Sequence, residues 1–261
     1  MSGFQLYFRY LKANFHSQLQ YKGWPIQIIM VLFHVMTDPL AVLLLFSRFG
    51  NIGGWTVERV MLVYGMAVTS FGLAEVFSRG FDSFPWQVRT GAFDRILLRP
   101  RSTVVQVMGM RFHLHRLSRV LGGGFMIGWS LFRQGVSLNP EQLIQLSLAL
   151  AGGYLTYTGV FIFISAFIFW TIQPLNWIYL FTNCSYQVTK CPPSLLPHWL
   201  RNTFIFVMPM LVFSYYPAAA ICGWGIPPVL GWLAFPAGAL FLLLSLALWR
   251  VGVRFYTSTG S

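Results

Sequence analysis

Apolar residues form six long runs along the chain, separated by short segments that are rich in basic residues, glycine or proline. A helix needs roughly 20 apolar residues to cross the hydrocarbon core of a bilayer. The predicted spans are residues 24–46, 56–77, 104–132, 143–171, 204–221 and 229–251. Basic side chains crowd the first half of the third run, so we expect that half to lie at the membrane surface. The pattern therefore predicts an all-α integral membrane protein with about six transmembrane helices, a single domain over residues 1–261.

The composition excludes an ordinary soluble domain. Hydrophobic residues make up 56% of the chain and charged residues only 9%, against roughly 25% charged residues in soluble domains. Lipid solvates apolar outer faces that water would not tolerate. The net charge of +12 does not indicate nucleic-acid binding, because no polar domain is available to present a basic face.

Basic residues determine the predicted orientation. With the N-terminus inside, 15 of the 18 Lys and Arg residues fall in cytoplasmic segments, and the other three are Arg48, Arg59 and Arg133. Lys and Arg concentrate in cytoplasmic loops, so we expect both termini in the cytoplasm and residues 51–55 and 134–139 outside. The proline-broken stretch 174–200 is expected to be a cytoplasmic or interfacial segment rather than a full span.

Residues 1–22 are predicted to form an amphipathic helix. Apolar residues recur at intervals of three and four from Phe4 to Leu19 and share one helical face, while Arg9, Lys12 and His16 lie elsewhere. A basic amphipathic helix of this kind suits the surface of the inner leaflet. Two interpretations remain open: a membrane anchor, or a lever that also contacts a cytoplasmic partner.

The segment 79–103, after the second predicted span, carries the most informative pattern. Gly91 permits a break in the chain, and Asp94 favours a helix N-terminus because its charge complements the helix dipole. Pro100 ends the turn that follows. An apolar group lies between two arginines there: Arg95, Ile96, Leu97, Leu98 and Arg99. The segment is either a solvated basic loop or a short helix that presents leucines to a partner.

The spacing Gly-x-x-Asp-x-x-Leu-x-Arg-Pro, from Gly91 to Pro100, resembles that of bacterial ABC transporter permeases of the type-2 exporter class, and in particular their six-span drug and viologen exporter members. The order of elements is also similar, with an amphipathic helix, two spans, this loop and four further spans. Residues 190–201, 208–209 and 216–218 resemble the later part of that family, although Cys191 stands where an aromatic residue is common.

The resemblance implies the membrane half of an exporter, in which two permease subunits, identical or different, bind two separate ATPase subunits. The loop would be the coupling helix, and the implied coupling residues are Gly91, Asp94, Arg95, Leu97, Leu98, Arg99 and Pro100. The chain contains no Gly-x-x-x-x-Gly-Lys-Ser/Thr phosphate loop. We therefore expect ATP and Mg²⁺ on the partner ATPase, and no cofactor or enzymatic activity in this chain.

The implied cargo is an amphipathic or cationic drug-like compound, or a lipid, which is moved out of the cytoplasm across the inner membrane of a bacterium. Two alternatives belong to other classes. An ion- or proton-coupled carrier or channel would need more buried acids than the spans contain. A membrane-embedded enzyme would need a catalytic constellation at the membrane face, which the sequence does not indicate.

Two acidic residues fall within the predicted spans. Asp38 lies near the middle of the first one, directly before Pro39, and an ionisable group at that depth is a functional candidate. It either satisfies the backbone that the proline kink frees or lines the translocation path. Glu75 precedes Arg79 by four residues and predicts an ion pair on one helical face.

No metal site is predicted. His113 and His115 are two residues apart, so they point in different directions on a helix, and no acidic or cysteine ligand lies near them in the sequence. The three cysteines, Cys184, Cys191 and Cys222, do not indicate a disulfide framework.

Overall fold

The computed structural model describes residues 3–19, 24–51, 53–112, 114–171 and 193–257, and all regular structure in these ranges is helical. The helices are α1 Gly3–Leu19, α2 Trp24–Phe49, α3 Val57–Ser78, α4 Phe84–Arg89, α5 Asp94–Leu97, α6 Thr103–Gly109, α7 Leu117–Arg133, α8 Pro140–Ala166, α9 Ile168–Thr171, α10 His198–Asn202, α11 Met210–Ile221, α12 Pro228–Trp232 and α13 Ala234–Arg254. Short 3₁₀ turns cover Arg79–Ser83, Leu114–Arg116 and Pro193–Leu195, and a π-helical turn covers Thr203–Val207. The predicted all-α class is confirmed for these residues.

Three helical segments are long and apolar enough to cross a membrane: Val57–Arg89, Pro140–Thr171 and Pro228–Arg254. They correspond to the second, fourth and sixth predicted spans. The first predicted span is the continuous helix α2, within which Pro39–Phe49 is a shorter apolar helix. The third is interrupted between α6 and α7, so only α7 continues as a long helix. Six spans are therefore confirmed only in part.

Helix α3 lies at the centre of the bundle. Of its 22 residues, 17 are buried, and it packs against α7 on one side and α8 on another. Gly123 of α7 permits the α3–α7 contact, because a Cβ there would lie 2.7 Å from the backbone nitrogen of Thr69 and 2.8 Å from the carbonyl oxygen of Gly65. Small residues allow such close approach between membrane helices.

Helix α13 packs along α8 through a narrow stripe, and most of its remaining surface is exposed. The buried residues of the stripe are Ala234, Gly238, Ser245, Trp249 and Gly252. Exposed leucines such as Leu240, Leu243 and Leu244 cover the opposite side. Lipid is the solvent that suits this apolar outer face.

The bundle has two ends, which we name the loop end, at residues 79–103, and the Trp55 end. Helix α3 joins them over about 33 Å, at 1.5 Å per residue. The hydroxyl of Tyr7 donates to the carbonyl oxygen of Phe77 at 2.6 Å. The hydroxyl of Tyr256 donates to the Asp94 carboxylate at 2.9 Å. Both Tyr7 and Tyr256 therefore lie at the loop end, Tyr7 on α1 and Tyr256 just after α13.

The predicted span at 204–221 is replaced by two helical segments, His198–Val207 and Met210–Ile221, that meet at an angle of 95°. Trp55 Nε1 donates to Ser194 Oγ at 3.1 Å, and the rings of Trp55 and Trp224 lie 5.8 Å apart. The bent pair therefore begins and ends near the Trp55 end. The apolar run is therefore not one straight helix but turns by about a right angle between Val207 and Met210.

The described part of the segment 174–200, residues 193–200, lies towards the Trp55 end. Its expected place as a cytoplasmic or interfacial segment stays a prediction. Trp170, just before the undescribed stretch 172–192, contacts the ring of Phe255 at the loop end. Trp170 and Ser194 therefore lie at opposite ends of the bundle. The rest of the predicted segment lies outside the described residues.

Replacement of Gly123 by alanine should destabilise the bundle. The added Cβ separates α3 from α7, and overpacking of this kind costs about 1–3 kcal/mol. Gly124 is the matched control, since a Cβ there meets nothing within 4 Å and alanine has the higher helix propensity. The thermal unfolding midpoint of the purified protein should fall for Gly123→Ala and not for Gly124→Ala. Equal midpoints for the two variants would contradict the close α3–α7 contact.

Candidate coupling surface

The 79–103 loop is a compact structure of short helices. After α3, the chain forms a 3₁₀ turn, α4 and α5, and then returns through α6. Gly91 has a φ of +66°, which L side chains rarely adopt. Gly80 lies so close to the Val107 carbonyl that a Cβ would collide with it. Helix α5 begins at Asp94, as its charge predicted.

An aromatic cluster attaches this loop to the rest of the bundle. Its members are Phe81, Phe84, Phe93, Phe169, Trp249 and Tyr256. The ring centroids of Phe84 and Trp249 lie 4.7 Å apart, and those of Phe84 and Phe93 lie 5.1 Å apart. Aromatic pairs in such geometry contribute beyond the area they bury. The cluster therefore joins the loop to α9 and to the end of α13.

Hydrogen bonds reinforce the same attachment. Besides the Tyr256–Asp94 bond, Trp249 Nε1 donates to Thr103 Oγ1 at 3.0 Å. Gln106 Nε2 donates to the carbonyl oxygen of Ile96 at 3.3 Å, which ties α6 to α5. Trp249 of α13 and Tyr256 just after that helix therefore hold the loop through side-chain hydrogen bonds.

The outer side of the loop presents apolar groups. Leu98 is 83% exposed, Trp86 is 64% exposed, and Leu97 is also exposed, whereas Ile96 is buried. Trp86 also lines a surface groove of about 580 Å³ beside α4. Exposed apolar groups next to polar ones are typical of a protein-contact surface. We missed Trp86 in the sequence, although a tryptophan in a segment of high basic charge is the signal that could have identified it.

Four arginines surround these groups at exposed positions: Arg89, Arg95, Arg99 and Arg101. The exposed side chain of Arg99 also contacts α1, because its Nη1 donates to the hydroxyl of Tyr10 at 3.1 Å. Asn14 Nδ2 also donates to the carbonyl oxygen of Gly109 at 3.1 Å. Helix α1 therefore lies against the loop, and its predicted location at the membrane surface stays a prediction.

A buried carboxylate organises the loop end of α3. Glu75 is 1% exposed and pairs with Arg79, which confirms the predicted ion pair. It also accepts bonds from Arg116 and Arg119, each at 2.6 Å, and Arg79 in turn pairs with Asp82. From the sequence we interpreted these two arginines only as signals of orientation. They are three residues apart, so both lie on one side of the start of α7, and this spacing could have indicated that they share an acidic partner.

His115 lies within the same group of charges. Burial and the neighbouring Arg116 guanidinium lower the pKa of its imidazole below the ordinary value. The imidazole is therefore neutral at pH 7 and adds no charge to the cluster. In the part of the chain that the structure describes, no three His, Cys, Asp or Glu side chains come together as metal ligands.

Asp38 falls within α2, but its side chain lies outside the described ones. Its role in the translocation path or in the Pro39 kink stays a prediction.

The chain matches the family model described as ABC-2 family transporter protein over residues 32–260. No curated protein and no solved structure gives a significant match. The chain therefore belongs to the ABC-2 transporter family, whose members are permeases of ABC transporters. Membership in this family implies association with an ATPase subunit.

Replacement of Glu75 by glutamine should weaken the loop end of the bundle. Three guanidinium groups would lose their shared counterion, and removal of one partner from a buried ion pair costs about 3–5 kcal/mol. Glu141→Gln, at an exposed position in the first turn of α8, is the matched control. Thermal unfolding in detergent should show a lower midpoint for Glu75→Gln alone. If both variants unfold like the wild type, Glu75 is not the counterion that the geometry indicates.

Proposed function

We propose that this chain is the membrane subunit of an ATP-driven exporter, powered by separate ATPase subunits. The observation that carries the proposal is the 79–103 loop, which exposes Trp86, Leu97 and Leu98 while the aromatic cluster fixes its inner side to the bundle. A loop that only connected two helices would need neither feature. The family supports an ATPase as the partner of this surface.

Coupling follows from the two sides of the loop. The ATPase receives Leu97, Leu98 and Trp86 in an apolar groove, and its acidic side chains face Arg89 and Arg95. When the ATPase closes on ATP, it displaces the loop. The aromatic cluster and the Tyr256–Asp94 bond then pass this displacement to α9 and α13, which changes the access of cargo to the membrane helices.

The complete transporter contains two permeases and two ATPases, and ATP and Mg²⁺ bind to the ATPases. The second permease is a copy of this chain or a related one. Cargo is an amphipathic or cationic drug-like compound or a lipid, which makes multidrug efflux the expected activity. The aromatic content of 18% supports an amphipathic cargo, and the family resemblance supports the outward direction.

The loop end faces the cytoplasm of a bacterium in this proposal, so both chain termini do as well. The Trp55 end faces outward, where the bent pair returns. Helices α2, α3, α7, α8 and α13 connect the two ends, and the proposed subunit has six passes in all. The concentration of basic residues at the loop end supports this orientation.

Leu97→Ala together with Leu98→Ala should uncouple the ATPase without unfolding the membrane helices, because both side chains are exposed. Burial of a leucine in a partner is worth about 1.5–3 kcal/mol. The double variant should insert normally, lose export and lose the stimulation of ATP hydrolysis by cargo.

Arg95→Glu should have the same effect through charge reversal, most strongly at low salt, where screening is weak. The measurements are co-purification with the ATPase and cargo-stimulated hydrolysis across a compound panel.

Controls come from the Trp55 end. Phe132 and Arg133 are exposed there, so Phe132→Ala and Arg133→Glu remove comparable groups from the opposite end. Tyr10→Phe removes the hydroxyl that accepts the bond from Arg99 Nη1. This variant tests the contact between α1 and the loop without changing a side chain on the outer side of the loop. The coupling role is wrong if changes at Phe132 and Arg133 abolish hydrolysis while those at Leu97, Leu98 and Arg95 leave it intact.

Cysteine labelling in whole cells tests the orientation. Single cysteines at Asn51 and Ser194, in a background without the native cysteines, should react with an impermeant reagent from outside, because both positions are exposed at the Trp55 end. A cysteine at Leu98 should react only after permeabilisation. If position 194 behaves like position 98, residues 193–200 do not lie on the outer side, and a reversed pattern at all three positions would overturn the orientation.

A further inference from the structure

Three aromatic side chains from distant segments meet at the Trp55 end of the bundle. Trp55 precedes α3, Tyr215 lies on α11, and Trp224 lies in the turn after α11. The ring centroid of Trp55 lies 5.7 Å from that of Tyr215 and 5.8 Å from that of Trp224. The centroids of Tyr215 and Trp224 lie 6.5 Å apart. We name these three residues the outer aromatic group.

The turn after α11 has the conformation that directs Trp224 towards this group. Gly223 and Gly225 have φ values of +66° and +79°, which L side chains rarely adopt. The backbone nitrogen of Trp224 donates to the carbonyl oxygen of Ala219 at 2.9 Å. Trp224 is therefore held half-buried by the turn, although both neighbouring glycines are exposed.

The outer aromatic group holds a cation of the chain itself. The guanidinium carbon of Arg59, in the first turn of α3, lies over the ring of Trp224 at 5.3 Å from its centroid. In the part of the chain that the structure describes, Arg59 forms no ion pair, unlike the three arginines that share Glu75. The face of an aromatic ring attracts a cation, and tryptophan does so most strongly. The ring of Trp224 therefore stabilises this guanidinium without help from a carboxylate.

A second stacked arginine at the same end shows what is particular to Arg59. Arg133 lies over the ring of Trp129 at 5.9 Å from its centroid, but Arg133 is exposed, whereas Arg59 is half-buried. A cation–π contact strengthens as the cation loses water. The site at Trp224 is therefore the one of the two that favours binding of a cation.

We propose that the outer aromatic group binds an organic cation with a flat charged head, which replaces the Arg59 guanidinium on the ring of Trp224. Arg59 can leave the ring without exposing an unpaired buried carboxylate, a change that would be costly. Because Arg59 competes for the same ring face and repels a like charge, it keeps the affinity for the incoming cation low. The physiological role rests on the proposed exporter: at its outer end, a competing arginine favours the release of cationic cargo.

Binding to the purified full chain, with any subunits that co-purify and without nucleotide, tests the proposal. The probes are benzylguanidinium and benzylurea, which have nearly the same shape and differ by one positive charge. Arg59→Met removes the competing charge and keeps a long side chain. This variant should bind benzylguanidinium about tenfold more tightly than the wild type, because the freed ring face and the lost repulsion each contribute roughly threefold. Its affinity for benzylurea should be the same as that of the wild type.

Two further variants and a spectroscopic measurement address the site itself. Trp224→Leu in the Arg59→Met background removes the ring and should abolish the gain in affinity. Arg133→Met removes an equal charge from the same end and should leave the affinity unchanged. In the wild type labelled with fluorotryptophan, the fluorine NMR resonance of Trp224 is assigned by its absence in Trp224→Phe. It should shift with benzylguanidinium and not with benzylurea.

The outcomes separate the possibilities. Unchanged affinity for benzylguanidinium in Arg59→Met overturns the proposal, as does an equal gain for benzylurea or a gain that survives Trp224→Leu. An equal gain in Arg133→Met also overturns it, because the net charge of the protein would then be the cause. If Trp224→Leu fails to fold, the Trp224 resonance decides, and a resonance that benzylguanidinium does not shift overturns the proposal. These measurements need no ATP hydrolysis, so loss of ATPase coupling in the experiments above leaves them unaffected.

Discussion

Three arginines from two segments of the chain converge on one buried carboxylate, that of Glu75. In a region of low dielectric, the arginines would repel one another without it, and a bare carboxylate would be equally unfavourable. The arrangement holds α7 against α3 and, through Arg79 and Asp82, holds the first turn of the 79–103 loop. The position of the loop relative to α3 and α7 depends on this one group.

The two sides of the loop differ in composition. Its inner side is aromatic and joins helices that lie far apart in the sequence, whereas its outer side exposes leucines, a tryptophan and arginines. Packed rings resist compression, since protein interiors are as dense as molecular crystals. The inner side of the loop is therefore held firmly against Trp249 of α13. Helix α1 adds a second contact through Tyr10 and Arg99.

Patterns among neighbouring residues in the sequence were sufficient to predict the helices and turns that those same residues determine. The spans at α3, α8 and α13 follow from uninterrupted apolar runs, and the turn and helix of the loop follow from Gly91, Asp94 and Pro100. The run at 204–221 is bent by 95°, which its apolar length does not indicate. The position of the bent pair depends on contacts such as that between Trp55 and Ser194, which are 139 residues apart.

At the candidate site, too, the features set by neighbouring residues were predicted and those set by distant residues were missed. The sequence identified the exposed leucines, because their neighbours are charged. It did not identify the aromatic cluster, whose members Phe93, Phe169 and Trp249 come from three distant segments and look alike among 25 phenylalanines and 10 tryptophans. Arg116 and Arg119 were read as signs of orientation. A basic residue near a membrane boundary satisfies the positive-inside rule whether or not it also neutralises a buried acid.

The bond between Tyr256 and Asp94 joins residues 162 positions apart, and this separation has a consequence for biogenesis. Asp94 is synthesised well before Tyr256, so this bond and the ring contact between Phe93 and Tyr256 can form only after residue 256 has been added to the chain. The packed form of the loop therefore arises only after helix α13 has been made.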